Sequence, residues 1–499
     1  MQKRWKCKGR QRGWRTGVCA VSISSRVLIA VCQKKHRETL CALTEKLAED
    51  AFPGHSKGHQ SFPISSRYVE LKVVSDCHFR KPVLQEHEVL EAAGEMHEYR
   101  LRKETVVELE RITPDRLFRW CARSHGVPLL VMLSGVAGVG KTTLVQKFVF
   151  DWARGRHYQK FTFVFFFKFR ELSEEKMSLE SLLCKTYPDL KDTLNRILQD
   201  PEKLLFIFDG LDESRSDLML SRSGSQGLCT KPRDVKPVGV IVASLLKQTL
   251  LKGCSVLLTS RPSKLASLEA GVFHTVASIV GFLSRERERY FTSFFGDDKT
   301  SREALAYVRD SQVLYTLCYN PSYCWITCTA LQPCFAAVAG KPQPVPKTMT
   351  QLLVSYLTHI MTSHSQARPA WEDIRGILAR LGWLADYGRA NRLLVFDDNY
   401  LEAFGVQNSP FLTAFLVENP NCWEPCEVTY SFFHLTLQEF FSALVHYLDY
   451  QETNLKCVLD NARSCNEGNY EIFSRFLSGL SHPATRAPLE RYLGKFSCY

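Results

Sequence analysis

No stretch of 18 consecutive apolar residues occurs in this chain of 499, so the sequence offers no membrane-spanning helix. The 18 cysteines run from Cys7 to Cys498 without paired C-x₂-C spacing. Neither the cluster Cys318, Cys324, Cys328 nor the pair Cys422, Cys426 has a zinc-site pattern. Scattered thiols of this kind suit a reducing, cytoplasmic compartment. Residues 1–37 contain no acid and hold eleven lysines and arginines, which account for all but one of the net charge of +12. The nearly neutral remainder excludes a broad nucleic-acid surface. That basic start has the composition of a transit peptide or a basic arm. Its apolar part, Val27–Cys32, is too short for a secretory signal, and the segment reads as a solvated tail. There is no L-x-x-L-x-L repeat or other internal period, and no N-K-x-D guanine signature. Hydrophobic content of 45% and charged content of 23% are those of a globular chain, long enough for three or four domains.

Against these absences stands Gly135-Val-Ala-Gly-Val-Gly140-Lys141-Thr142-Thr143, a full match to the phosphate-cradling loop G-x-x-x-x-G-K-[ST]. Pro128–Ser134 before it reads as a buried strand. Thr142–Ala153 after it places Val145, Phe148, Val149 and Trp152 on one helical stripe. A strand, a glycine loop and a helix N-terminus make an anion site, because backbone N–H groups and the helix dipole point at the phosphates. Gly135, Gly138 and Gly140 let the backbone approach. Lys141 is expected to reach the β- and γ-phosphates, Thr142 to hold Mg²⁺, and Thr143 to stand beside it.

The same domain needs a second carboxylate for the metal. Leu204-Leu-Phe-Ile-Phe-Asp209 supplies one at a strand end, where α/β sites lie. Asp209 is the expected second holder of Mg²⁺, through water. Asp212 and Glu213 follow, and one of them, Glu213 by preference, is expected to orient an attacking water. Arg261, after Leu257-Leu-Thr-Ser, is expected to sense the γ-phosphate, since a guanidinium grips phosphate through paired N–H groups.

Around these motifs, strands alternate with helices. Phe161–Phe169 reads as a strand buried on both faces, and Leu204–Phe208 and Cys254–Thr259 as two more. The expected fold is an α/β doubly wound parallel sheet of the P-loop NTPase type. Upstream, His36–Asp50 reads as a short helix, Ala51–Ser66 as a loop, Tyr68–Val74 as a strand and Glu86–Met96 as an acidic helix. Ser214–Gly239 reads as an exposed insertion. Beyond about Gly296 the pattern is helical, with stripes Leu352, Leu353, Tyr356, Leu357, Ile360, Met361 and Ile374, Ile377, Leu378, Leu381, Leu384. Leu393–Phe396 and Val428–Phe433 are short strand candidates, and helices around a small sheet suggest a winged-helix module. The helix Thr436–Tyr447 has no lysine or arginine, which speaks against a DNA recognition helix.

Taken together, Gly135–Thr143, Asp209-Gly-Leu-Asp-Glu213 and Thr259-Ser-Arg-Pro262 resemble the NACHT nucleotide-binding domain of NOD-like receptors. Cys318-Tyr-Asn-Pro321-Ser-Tyr-Cys-Trp325 is similar to the family's helical-domain segment whose proline lies against the base. Phe433-His434-Leu-Thr-Leu-Gln-Glu-Phe-Phe441 resembles the winged-helix segment whose histidine reaches the β-phosphate of ADP. Residues 36–96 are similar to the fish-specific NACHT-associated (FISNA) domain. The resemblance implies a basic, disordered tail at 1–35, a FISNA-like region at 36–125, the NACHT domain at 126–296, a helical domain at 297–346, a winged-helix domain at 347–448 and the start of a second helical domain at 449–499. It implies ATP/ADP and Mg²⁺ as cofactors, and adenine-nucleotide contacts at Pro321 and His434. It further implies a slow ATPase switch of innate immunity that self-associates into an oligomer when active and signals to inflammatory (inflammasome) adaptors, with no nucleic-acid partner. On this reading the chain is expected to lack a death-fold domain before residue 36 and leucine-rich repeats after residue 499. The competing readings are a fast phosphotransferase or motor ATPase and a winged-helix DNA-binding regulator; turnover and salt-dependent DNA titration separate them.

Overall fold

The structure, a computed structural model, describes residues 25–48, 61–75, 117–118, 129–136, 138–172, 176–211, 227–261, 272–335, 346–365, 374–391, 393–406, 415–420, 428–432, 435–464 and 470–496. Its centre is a six-stranded sheet. In chain order the strands are β1 (Lys72–Ser75), β2 (Leu130–Ser134), β3 (Phe163–Lys168), β4 (Leu204–Asp209), β5 (Ser255–Ser260) and β6 (Thr275–Gly281), and they lie side by side as β1-β6-β2-β5-β4-β3. The last five are parallel, and β1 adds an antiparallel edge to β6. Every residue of β2, β4 and β5 is buried. Such unbroken runs of Leu, Val, Ile and Phe are what a parallel sheet covered on both faces requires. The order has one consequence for the site: β5 is inserted between the phosphate-loop strand β2 and Asp209's strand β4.

Phe161–Phe169 becomes the edge strand β3 rather than one buried throughout, with Phe166 and Lys168 half-buried. Its aromatics stack inward, Phe165 on Phe206 at 5.1 Å and Phe167 on Phe208 at 5.3 Å. Side chains cap its outer edge. Tyr187 Oη receives the Phe166 N–H at 2.8 Å and donates to the Phe166 carbonyl at 2.9 Å. His36 Nε2 lies 2.7 Å from the Val164 carbonyl, and Gln33 Nε2 donates to the Thr162 carbonyl at 3.1 Å. Such caps block the edge from pairing with another chain.

His36 and Gln33 belong to α1 (Ser25–Thr44). This helix starts inside the segment expected to be a tail and before the helix expected at His36. The charge of the segment hid a stripe: Ile29, Cys32, His36 and Leu40 recur at helical spacing and pack on the nucleotide domain, with Arg37 4.6 Å over the Trp152 ring. The expected loop 51–66 contains a strand, Ser61–Pro63, paired with Lys46–Ala48, and ends in a helical turn, Ile64–Arg67. Of the strand expected at Tyr68–Val74 only the end is strand, as β1 from Lys72; residues 68–71 lead into it without pairing in the sheet. The acidic helix expected at Glu86–Met96 lies outside the described residues. Of the expected insertion Ser214–Gly239, residues 214–226 also lie outside them. The rest keeps exposed residues, Thr230, Lys231, Arg233 and Val235 among them, but is anchored: Cys229 is buried with its N–H on Ser244 Oγ at 2.8 Å, and Thr230 and Lys231 N–H groups close a turn on Asp234.

The phosphate-loop helix is α2 (Lys141–Ala153), with Val145, Phe148, Val149 and Trp152 buried as expected; α3 is Val238–Leu246. The helical half follows: α4 (Ser284–Phe295), α5 (Asp298–Asp310), α6 (Gln312–Leu317), α7 (Pro321–Phe335), α8 (Met349–Ser365), α9 (Ile374–Asn391), α10 (Asp398–Ala403), a hairpin of β7 (Leu416–Pro420) and β8 (Val428–Phe432), α11 (Leu435–Leu448), α12 (Glu452–Ser464), α13 (Glu471–Ser481) and α14 (Pro483–Leu493). Leu393–Phe396 does not form a strand; Phe396 makes one bridge to Tyr430. The partner strand is β7, whose Glu, Asn and Pro gave no apolar alternation.

Helix α11 is an interior helix between α9 and α13. A polar knot ties these three. Asp386 accepts from Ser442 Oγ at 2.8 Å and Arg389 Nη2 at 2.6 Å, while Arg389 lies 4.3 Å over the Phe473 ring. Burial pushes the Asp386 carboxyl up, but contacts with His446, Arg389 and Ser442 outweigh it and hold the group at about 2. Among the described residues no helix is long and apolar enough to cross a membrane.

Candidate functional site

The loop between β2 and α2 turns through two left-handed glycines, Gly138 at φ +71° and Gly140 at φ +100°. An L-residue pays for such backbone. At Gly140 the space is closed as well, since a Cβ there would come 2.9 Å from Leu71 Cδ1. Leu71, just before β1, is buried and forms the wall behind the helix N-terminus. Gly135 opens the loop, and its N–H donates to the Ser260 carbonyl at 3.2 Å, tying the loop to the end of β5.

Lys141, the first residue of α2, folds its ammonium over the loop and donates to the Gly135 and Val136 carbonyls at 2.8 and 3.1 Å. Thr142 Oγ1 donates to Asp209 Oδ2 at 2.6 Å. Thr143, next in the first turn, is half-buried. Asp209, 4% exposed, also accepts from Thr259 Oγ1 through its other oxygen, at 2.6 Å. Thr259 Oγ1 in turn receives the Gly210 N–H at 2.7 Å. One buried hydroxyl thus fixes the carboxylate and the first peptide of the turn that leads to Asp212 and Glu213. Thr259 can do this because β5 lies between β2 and β4. It stands inside the Thr259–Pro262 motif that drew attention only to Arg261. Arg261 follows Ser260 directly, half-buried, at this same strand edge.

The arrangement fits a phosphate with a hard cation. Hydroxyl and carboxylate oxygens, 2.6 Å apart, are oxygen donors of the type Mg²⁺ prefers, and an ammonium and a helix N-terminus face the adjoining loop. Among the described residues no group of three or more His, Cys, Asp or Glu is placed to hold a metal by itself.

From the helical half, Pro321 is the first residue of α7 and half-buried. The contact with the loop comes from its neighbour, Ser322, whose Oγ donates to the Gly138 carbonyl at 3.0 Å. Asp212, Glu213 and His434 lie outside the described residues. The structure therefore brings Gly135, Gly138, Gly140, Lys141, Thr142, Asp209 and the Pro321 turn to one place, with Arg261 at the adjoining strand edge. Thr259, Leu71 and Ser322 join them.

Residues 129–298 match the NACHT domain family, and residues 434–498 match the NLRC4 helical domain HD2. The chain belongs to the NACHT-domain proteins of the NOD-like receptor family. Human NACHT, LRR and PYD domains-containing protein 12 is 31% identical over 385 residues, covering 73% of this chain and 35% of that protein. Bovine NACHT, LRR and PYD domains-containing protein 3 is 28% identical over 499 residues, covering 94% and 46%. Rat NACHT, LRR and PYD domains-containing protein 6 is 30% identical over 470 residues, covering 92% and 50%. The chain thus spans half or less of the length of these relatives. The NACHT match covers the whole parallel sheet from β2 to β6. The HD2 match takes in α11 to α14, of which α11 is joined to α9 through Asp386 and Ser442.

Proposed function

We propose that this chain is the nucleotide switch of an innate-immune receptor: it holds ADP in a closed state, exchanges it for ATP, hydrolyses ATP slowly and self-associates when ATP-bound. Inflammatory adaptors are its proposed signalling partners. The observation that carries the reading is the Ser322 to Gly138 contact. A helical module that touches the phosphate loop itself is placed to respond to what the loop holds.

In this reading Lys141 leaves its carbonyl seat for the β- and γ-phosphates. Thr142 and Asp209 hold Mg²⁺, which when bound neutralises phosphate charge. Thr259 keeps Asp209 in place by its hydroxyl. Glu213, or Asp212 beside it, orients the water, and Arg261 reads the γ-phosphate. Pro321 lies against the base, and His434 reaches the β-phosphate of ADP from the winged-helix module. The absence of Lys and Arg on α11 and its burial favour this assignment over DNA recognition.

The test is to denature the purified protein and identify the released nucleotide, in wild type and in Lys141→Ala. The lysine supplies a charge-assisted contact of about 1.5–3 kcal/mol. Wild type should release adenine nucleotide and a folded Lys141→Ala none. Equal nucleotide content in both overturns the assignment of the loop.

A further inference from the structure

Two neighbouring residues at the start of α7 touch different modules. Ser322 gives its hydroxyl proton to the Gly138 carbonyl in the phosphate loop. Tyr323, buried at 2% exposure, has its hydroxyl 3.1 Å from Met349 Sδ at the start of α8 and 3.2 Å from Thr436 Oγ1 in the first turn of α11. A phenol has one proton to give and lone pairs to receive, so it serves both contacts at once. Successive helical residues project about 100° apart, which is how one turn can hold two partners.

The turn that carries them has little slack. Asn320, fully buried, accepts the Ser322 N–H on Oδ1 at 3.0 Å. The Tyr319 carbonyl accepts the Phe282 N–H at 2.6 Å. It passes so near Gly281, at φ +98°, that a Cβ there would lie 2.4 Å from it. The turn is fastened to the end of β6 on one side and to the loop on the other. A shift of Gly138 is therefore passed on to Tyr323 rather than absorbed.

We infer that Ser322 and Tyr323 form a clasp that couples the phosphate loop to α8 and α11 by a route separate from His434. The inference rests on the nucleotide reading above. Both are positioning residues, one acting through the loop and the other through Thr436.

The experiment uses the full chain loaded with a fluorescent ADP analogue and Mg²⁺, chased with excess ADP, with particle size measured in parallel. Tyr323→Phe keeps the ring and removes both hydroxyl contacts. Thr436→Val cuts the same link from α11, and decides the matter if Tyr323→Phe is insoluble. Ser322→Ala cuts at the loop, and Ser322→Thr keeps a hydroxyl. The three cutting variants should release ADP roughly three- to tenfold faster than wild type and shift toward larger particles, as expected for loss of one net hydrogen bond. Ser322→Thr should stay near the wild-type rate. Combining Tyr323→Phe with Ser322→Ala should accelerate release by less than the product of the single effects, because both break one connection. A tyrosine that only fills the core predicts a lower melting temperature with unchanged ADP release, and that result overturns the clasp. If Lys141→Ala binds the analogue as wild type does, the nucleotide reading fails first. If Lys141→Ala loses it while Tyr323→Phe and Thr436→Val release it normally, the clasp alone fails.

Discussion

Replacing His36 by glutamine should change how the stability of the nucleotide domain depends on pH. His36 is 3% exposed and packed among Trp152, Phe163, Phe165 and Tyr187. Its Nε2 meets the Val164 carbonyl, so the neutral ring donates there. Burial lowers its pKa from 6.5 to about 4, against the opposing bond to Val164. The folded state thus prefers the neutral ring, and the unfolded chain binds a proton first. This contribution is whole above pH 6.5 and is lost as pH falls toward 4. At pH 4.5 the two pKa values give a loss of about 2.5 kcal/mol through this residue. Glutamine can donate to Val164 but cannot titrate. Urea titrations of both proteins between pH 7.5 and 4.5 should therefore converge by about 2.5 kcal/mol, whatever offset they show at pH 7.5. Parallel curves would refute the argument, because they would mean that His36 is protonated alike in both states.

Asp209→Asn should weaken Mg²⁺-dependent nucleotide binding, whereas Glu213→Gln should spare binding and slow hydrolysis; wild-type turnover in Glu213→Gln would assign the water to Asp212 or another group. Removing residues 1–24 should leave nucleotide binding intact, but removing residues 1–44 should uncover the β3 edge and lower solubility, as sedimentation would show. His434→Ala should release ADP roughly ten- to a hundredfold faster, matching a charge-assisted bond of about 1.5–3 kcal/mol; unchanged release with a lower melting temperature would make His434 a core residue.

How far the site could be read from sequence depended on how local each part is. The phosphate loop is nine consecutive residues whose glycines, lysine and threonine state their roles together. Asp209 was legible because a run of apolar residues ending in an acid marks a strand end. Thr259 was not, since its partner is set by strand order, and nothing in Leu257-Leu-Thr-Ser says that β5 will lie beside β4. Helix α1 was hidden for a different reason. The lysines and arginines of residues 1–37 dominate the composition, seven of the eleven preceding the helix, while the face packed on the domain is four residues spread over three turns. Ser322 lies beside Pro321, whose backbone effect is visible in sequence without a partner, whereas a serine's contact is not. The small sheet was half-read: β8 alternates, whereas Leu416-Val-Glu-Asn-Pro420 does not.

The antiparallel strand β1 has a consequence in time. Among the described residues, 72–75 pair only with β6 at residues 275–281, so some 200 residues separate the two partners along the chain. At ribosomal speeds of about 5–20 residues per second, β1 waits on the order of 10–40 seconds for its neighbour. The outer edge of β2 waits for the same strand, since β6 sits between them. Leu71, which backs Gly140, is held by that pairing. The wall behind the phosphate loop is thus among the last parts of the sheet to be completed. During synthesis the domain has its lysine and its carboxylate before it has the surface that shapes the loop, and chaperones have that interval in which to act on two open strand edges.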